Sequence, residues 1–275
     1  MAEALSALLY PLPFVLIVSL VILVHELGHY TIAVLCRMPV ESVSIGFGRE
    51  WLARTCGDGT RWRLGLIPFG GSVIVGNAAR PFLDEPLPAR AIVTLGGPLA
   101  NFAFAILLMA CVFLWEGELV DPVDPGGSPS HVFVHRSPVE AIGHATIKVG
   151  DIAVTSLARS WRALSDHGSG QAVQGVGSVV EATHATAANG WDSLAWLTAL
   201  ISIGIGLFNL LPVPVLDGGQ LVLIAFQAFA GHPPPQRTVN GVNWAGIVIL
   251  ATLALIGMGD DLMTSPIATW LGLRG

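Results

Sequence analysis

The sequence predicts an α-helical polytopic membrane protein, with about four transmembrane helices and a small membrane-associated β element between the first two. Three observations carry this reading. The 275 residues are 53% hydrophobic and only 12% charged, where soluble domains carry about 25% charge. The apolar residues gather into runs long enough to cross a hydrocarbon core about 30 Å thick. The basic residues, in contrast, collect in a single segment between the first two runs, as they do in cytoplasmic loops.

Taken in order, the first span is Pro11–Cys36. No Lys or Arg precedes it, so it lacks the charged start of a signal peptide, and its cleavage would discard the most reactive residues of the chain. Residues 37–90 follow, with Arg37, Arg49, Arg54, Arg61, Arg63, Arg80 and Arg90 accounting for seven of the 13 Lys and Arg. This loop therefore faces the cytoplasm, which puts both termini and residues 116–193 outside. Within it, Glu41–Gly48 and Trp62–Gly76 have β character around the turn-forming residues 55–60. They form a hairpin or small sheet, either re-entrant in the membrane beside the first span or lying in the cytosol. The second span covers about Ala89–Trp115 and opens on Leu95-Gly96-Gly97-Pro98-Leu99-Ala100-Asn101. Residues 116–193 are rich in Gly, Pro, Ser and Ala, with a linker at Asp121–Ser130 and a candidate amphipathic surface helix over Ser137–Leu164. The third apolar run, Leu194–Ala230, is too long for one crossing, and Pro212, Pro214, Gly218 and Gly219 predict a break at membrane depth. The fourth is about Val242–Met258, closed by Asp260 and Asp261. The whole chain, 1–275, reads as one membrane-embedded domain in the cell (inner) membrane.

The chemistry lies in His25-Glu26-Leu27-Gly28-His29, inside the first span. Histidines four apart share one helix face and can grip one Zn²⁺, with the glutamate placed to take a proton from water on the metal. Ionisable groups at this depth are costly and mark function. A catalytic zinc needs three protein ligands and one open position. Asp217 is the candidate for the third, being the only acidic residue between Ser193 and Gly259. Asp58, Asp84 and Glu85 are poorer candidates because loop carboxylates can be solvated where they stand. The orientation puts His25, His29 and Asp217 in the cytoplasmic halves of their spans. Asn101 and Asn209 are neutral polar groups in apolar spans, able either to hold a substrate backbone or an oxyanion or to bond helix to helix. A substrate that arrives as a helix must unwind before it can be cut. An edge strand of the 37–76 region, with Gly71 and Ser72 in its path, can receive the unwound chain by strand addition.

Other functions find less support. The net charge of −6 and the lack of a basic, aromatic-interleaved patch exclude nucleic-acid binding as the expected role. Cys36, Cys56 and Cys111 show no paired spacing. His131 and His135 are also four apart, but in a β-like stretch where that spacing is no helical face. No nucleophile elbow supports serine chemistry. The rival from another class is a zinc-binding membrane transporter or channel, in which the same cluster would be a transport site.

Together with these residues, Gly46-Phe47-Gly48, Ile67-Pro68-Phe69-Gly70-Gly71, Gly96-Gly97-Pro98-Leu99-Ala100-Asn101 and Asn209-Leu210-Leu211-Pro212-Val213-Pro214-Val215-Leu216-Asp217-Gly218-Gly219 make the chain resemble the site-2 protease family of intramembrane zinc metalloproteases, in its bacterial, RseP-like branch. The resemblance implies His25, His29 and Asp217 as ligands of one zinc ion, Glu26 as catalytic base, and Asn209 and Pro212 as substrate-holding residues. It implies single-span membrane proteins as substrates, of the anti-sigma-factor or signal-peptide-remnant type. One departure stands out. Relatives of this branch carry one or two PDZ domains between the second and third spans. Residues 116–193 are barely long enough for one and show no carboxylate-binding loop, so the segment reads as PDZ-less.

Overall fold

The computed structural model describes residues 10–120, 132–134, 137–165, 176–187 and 189–264. The first helix, α1 (Leu12–Leu35), is entered through Pro11, which is tolerated before a helix where N–H groups have no partners anyway. At 24 residues it measures about 36 Å, enough for a bilayer core. Arg37 ends it in the left-handed region, φ 57°, and turns the chain into the sheet.

Strands β1 (Val40–Thr55), β2 (Arg61–Asn77) and the short β3 (Arg80–Pro81) form the predicted β element. β1 runs past Gly48 to Thr55, further than alternation alone indicates, because Glu50–Thr55 finds a partner in Arg61–Gly65. Both long strands kink where glycines take positive φ, at Gly46 and Gly48 in β1 and at Gly70 in β2. Each therefore acts as two segments. Outer segments pair from Glu50↔Gly65 to Thr55↔Arg61, and inner segments from Val40↔Val75 to Ile45↔Gly71. The register Ser42↔Arg61 to Ile45↔Leu64, in which both numbers rise together, joins the two pairs side by side. Gly70–Val75 thereby becomes a border of the sheet, paired on one side with β1.

Helix α2 (Leu87–Trp115) follows Pro86 and keeps Pro98 within it. It crosses α1 with Gly28 against Gly96, so backbone lies on backbone. After the two-stranded hairpin of β4 (Glu118–Val120) and β5 (Val132–Val134), α3 (Pro138–Ser165) covers the expected amphipathic stretch. Its Ala141, Ala145 and Val149 are buried against Ala105, Met109 and Phe113 of α2, while Ile142, Ile147, Val154 and Leu157 stay exposed. The linker Asp121–Ser130, His131 and His135 lie outside the described residues.

Helix α4 (Val176–Ala187) leads to α5 (Trp191–Asn209), and a non-helical stretch, 210–216, separates α5 from α6 (Asp217–Ala230). The third apolar run is thus broken around Pro212 and Pro214, as the prolines require. Helix α7 (Gln236–Thr264) contains the fourth expected span. Among the described residues, α1, α2 and α5 are long and apolar enough to cross a membrane. Among the described residues two apolar cores result. One joins α2, α3 and α5; the other packs Ala33, Met38 and Val93 of the α1–α2 region on Val40 and Val43 of the sheet.

Candidate metal centre

Helical spacing puts His25 and His29 on one face of α1, their ring centroids 4.8 Å apart and nearly perpendicular. The end of the proline break delivers Asp217 as the first residue of α6, directly opposite. His25 Nε2 lies 3.1 Å from Asp217 Oδ2, His29 Nε2 lies 3.4 Å from Asp217 Oδ1, and the two Nε2 atoms are 3.2 Å apart. Tetrahedral zinc, with bonds of about 2.0–2.1 Å, places its donor atoms about 3.3 Å from one another. The three side chains therefore already stand at the spacing of a coordination shell. His29 Nδ1 donates to the Val93 carbonyl at 2.8 Å, which leaves a bare lone pair on Nε2, aimed at a carboxylate and another imidazole. Two imidazoles and a carboxylate converging in this way suit a cation. The donor set fits one zinc ion.

The site is enclosed by an absence of atoms. A Cβ at Gly97 of α2 would lie 2.6 Å from His25 Nε2 and closer still to His29, so only glycine lets α2 back the imidazoles. Glu26 is buried, 9% exposed, and faces the sheet rather than α2. A Cβ at Gly71 would come within 2.7 Å of its Cγ. The border strand of β2 therefore runs past the carboxylate at contact distance.

A cleft of about 710 Å³ opens over these groups. His25, Glu26, His29 and Asp217 form its floor, Gly70–Val75 one wall, and Asn209, Val215, Leu216 and Gln220 the other. Val215 holds φ +84°, a conformation costly for a β-branched residue, in the turn that aims Asp217. Outside the spans, the carboxylate of Glu50 is held below its usual range by the Arg61 guanidinium at 2.7 Å, aided by Arg63, and that of Asp58 by the Thr60 N–H at 3.0 Å.

The structure thus brings together His25, Glu26, His29, Asp217, Gly71, Ser72 and Asn209. Asn209 also donates from Nδ2 to the Ile205 carbonyl at 3.0 Å. It does not bring Pro212 or Asn101 to the cleft: Pro212 is exposed on the break, away from the lining residues, and Asn101 is fully buried behind His25. Arg90 pairs with Gln227 of α6 rather than with Asp217. Sequence reasoning missed Gln220 and the Val93 carbonyl. Gln220 stands three residues after Asp217, hence on the same face of α6, and that spacing could have revealed it. A backbone acceptor leaves no mark in sequence.

A buried His-Glu-His cluster completed by an aspartate from a second helix, set among helices apolar enough to span a bilayer, defines a membrane-embedded metal-dependent hydrolase. The particular family follows from comparison with known proteins: the model of Peptidase family M50 matches residues 13–253, and the chain belongs to that family, the site-2 proteases. Among its relatives is a protein of Agrobacterium fabrum named, provisionally, as a zinc metalloprotease, 26% identical over 359 aligned positions that cover 92% of this chain and 95% of the relative. The metalloprotease MmpA of Caulobacter vibrioides is 25% identical over 386 positions, covering 93% of this chain and 96% of its own. Both alignments are longer than the 275-residue chain, so each relative holds residues that have no counterpart here. The protein is a zinc metalloprotease with membrane-spanning helices.

Proposed function

We propose that this protease works within the bilayer, hydrolysing peptide bonds in or near the transmembrane segment of single-span membrane proteins, of the anti-sigma-factor or signal-peptide-remnant type, as in regulated intramembrane proteolysis. The observation that carries this reading is the adjacency of the His25–His29–Asp217 triangle, the Glu26 carboxylate and the border strand Gly70–Val75, all opening into one cleft.

His25, His29 and Asp217 would hold the zinc ion, which would supply Lewis acidity there. Glu26 acts as general base and afterwards returns the proton to the leaving amine. Its burial beside apolar residues keeps bulk water from competing for that proton. The border strand holds the substrate. Gly76 N–H donates to Pro39 O at 2.7 Å, so alternation turns the N–H groups of Gly71, Val73 and Val75 away from β1, that of Val73 onto the Glu26 carboxylate and the other two toward the cleft. An unwound substrate segment satisfies its own backbone groups on the Gly71 and Val75 donors, which the membrane interior otherwise leaves without partners. Gly71 and Ser72 lie beside the scissile bond, and Asn209 faces them across the cleft. Pro212 contributes by shaping the break.

The topology proposed has four crossings, α7 completing the set, with the arginine-rich sheet and the active site toward the cytoplasm of the cell (inner) membrane and both termini outside. Residues 116–193 form an extracytoplasmic, PDZ-less segment. The helices α3 and α4 within it support this.

The test is co-expression of wild-type and Glu26→Gln protein with tagged single-span candidates. A membrane-released fragment with the wild type alone, at equal zinc content in both proteins, is the expected result. Fragment release that persists in Glu26→Gln sinks the assignment, and zinc flux into vesicles unaffected by the substitution would favour a transporter instead.

A further inference from the structure

Asn101 carries a buried polar atom without a partner in the spanning helix α2. It is fully buried and lines no cleft, yet its side chain reaches the metal triangle from behind. Asn101 Nδ2 lies 3.4 Å from His25 Nδ1, and Asn101 Oδ1 is buried with no hydrogen-bond partner. A buried amide group left unpaired is costly, and which atom pairs with His25 decides what the amide does there. A half-turn of the amide exchanges its nitrogen and oxygen, which are indistinguishable in shape and are assigned from their partners. In that orientation Oδ1 meets His25 Nδ1 and accepts its N–H. The rotation leaves one amide group without a partner either way, Nδ2 in place of Oδ1; what favours it is the tautomer, since an Nδ1–H held by Oδ1 leaves Nε2 free to bind a cation.

The second histidine supports the same arrangement. His29 Nδ1 already donates to the Val93 carbonyl, so both outer acceptors come from α2 and both Nε2 atoms face Asp217. The position of Asn101 is itself fixed: Ser202 Oγ of α5 donates to its backbone carbonyl at 2.8 Å, and Gly206 leaves α5 room to close on it. We infer that Asn101 is a positioning residue, whose side-chain oxygen holds His25 in the Nδ1–H tautomer and so sets the affinity of the site for zinc. This inference rests on the zinc reading of His25, His29 and Asp217.

The test measures zinc affinity of the purified, detergent-solubilised full chain by chelator competition, together with the visible spectrum of the cobalt-substituted protein. Asn101→Leu keeps the volume and removes the acceptor; Asn101→Asp keeps an acceptor and removes the donor. Ser202→Ala breaks the α2–α5 bond without touching His25. Loss of an outer-shell partner weakens metal binding roughly 10–100-fold. Asn101→Leu is expected to show that loss with a shifted cobalt spectrum, while Asn101→Asp and Ser202→Ala stay within about threefold of wild type, inside the noise of such comparisons. Equal zinc affinity in Asn101→Leu and wild type overturns the inference but leaves the zinc site standing. So does an Asn101→Asp protein as weak as Asn101→Leu, since it would make the amide a donor. Should Asn101→Leu fail to fold, judged by thermal unfolding of the apo protein, Asn101→Asp against wild type decides alone. Wild-type protein that binds no zinc removes both readings together.

Discussion

The two halves of α2 are held in opposite ways. From Leu87 to Asn101 the helix meets α1 through glycines, Gly96 against Gly28 and Gly97 beneath both imidazoles, so that geometry there is set by missing atoms. From Ala105 to Trp115 it meets α3 and α5 through interlocked side chains, Met109 and Phe113 against Ala141, Ala145, Ala199 and Ile203. The sheet divides likewise. Its inner half lies against Glu26 with Gly71 at contact distance, whereas its outer half, with Trp51 73% and Leu52 68% exposed, touches nothing of the site. Rigidity of the metal centre comes from close backbone approach, and bulk cohesion from side-chain volume elsewhere. Each half should therefore fail in its own way.

The largest effect is expected at Gly97. Valine there drives a Cβ into both Nε2 positions, and no neighbouring side chain can yield, because the obstacle is the ligand pair itself. Zinc affinity should fall at least about 100-fold, equivalent to near 2.7 kcal/mol, with the helices still formed. Circular dichroism and metal analysis on one sample check this; a Gly97→Val protein with full zinc occupancy would refute the claim that missing atoms shape the site. Next comes Val75→Pro, which removes a donor from the free side of the border strand and leaves its pairing with β1 intact. One lost backbone bond predicts cleavage slower by up to about tenfold at unchanged zinc content. If rate and cleavage site both stay as in the wild type, substrate does not add to this strand.

Much of this was legible beforehand, for reasons that differ residue by residue. His25, Glu26 and His29 announce themselves because local spacing on one helix suffices to bring them together. Asp217 was legible by elimination, a lone acid in a broken apolar run. The proline-driven break at 210–216 followed from backbone chemistry alone. What escaped was whatever depends on contact across the fold. Nothing local shows that Glu50–Thr55 continues a strand, since its partner is supplied by Arg61–Gly65. Nor does composition reveal that the amphipathic helix α3 buries Ala141 and Ala145 against α2. Asn101 was readable as an intramembrane polar group, but only the packing of α2 on α1 points it at His25 rather than at the cleft.

The third expectation concerns the side-chain half. Met109→Ala opens a cavity in the α2–α3–α5 core, where loss of a buried Met costs about 2–5 kcal/mol in soluble proteins. Lipid is as apolar as the protein interior, so the transfer part of that cost is absent and the low end applies. Thermal unfolding should come several degrees earlier, while zinc affinity and cleavage at low temperature match the wild type. Reduced zinc affinity in this variant would mean that the two halves of α2 are coupled after all.

The smallest effect belongs to the outer hairpin. Arg61 and Arg63 hold the Glu50 carboxylate below its ordinary range, so it favours the folded state at every pH above the unfolded value of about 4.3 and loses that contribution only as pH falls through its lowered folded value. Between pH 5 and 8 the group stays charged in both states, and Glu50→Gln should give a cleavage profile superimposable on the wild type, within about twofold, as befits an exposed ion pair. Added salt should leave that comparison unchanged. A profile that moves within this window would show that the outer hairpin feeds charge into the cleft, through the kinks at Gly46, Gly48 and Gly70 that otherwise isolate it.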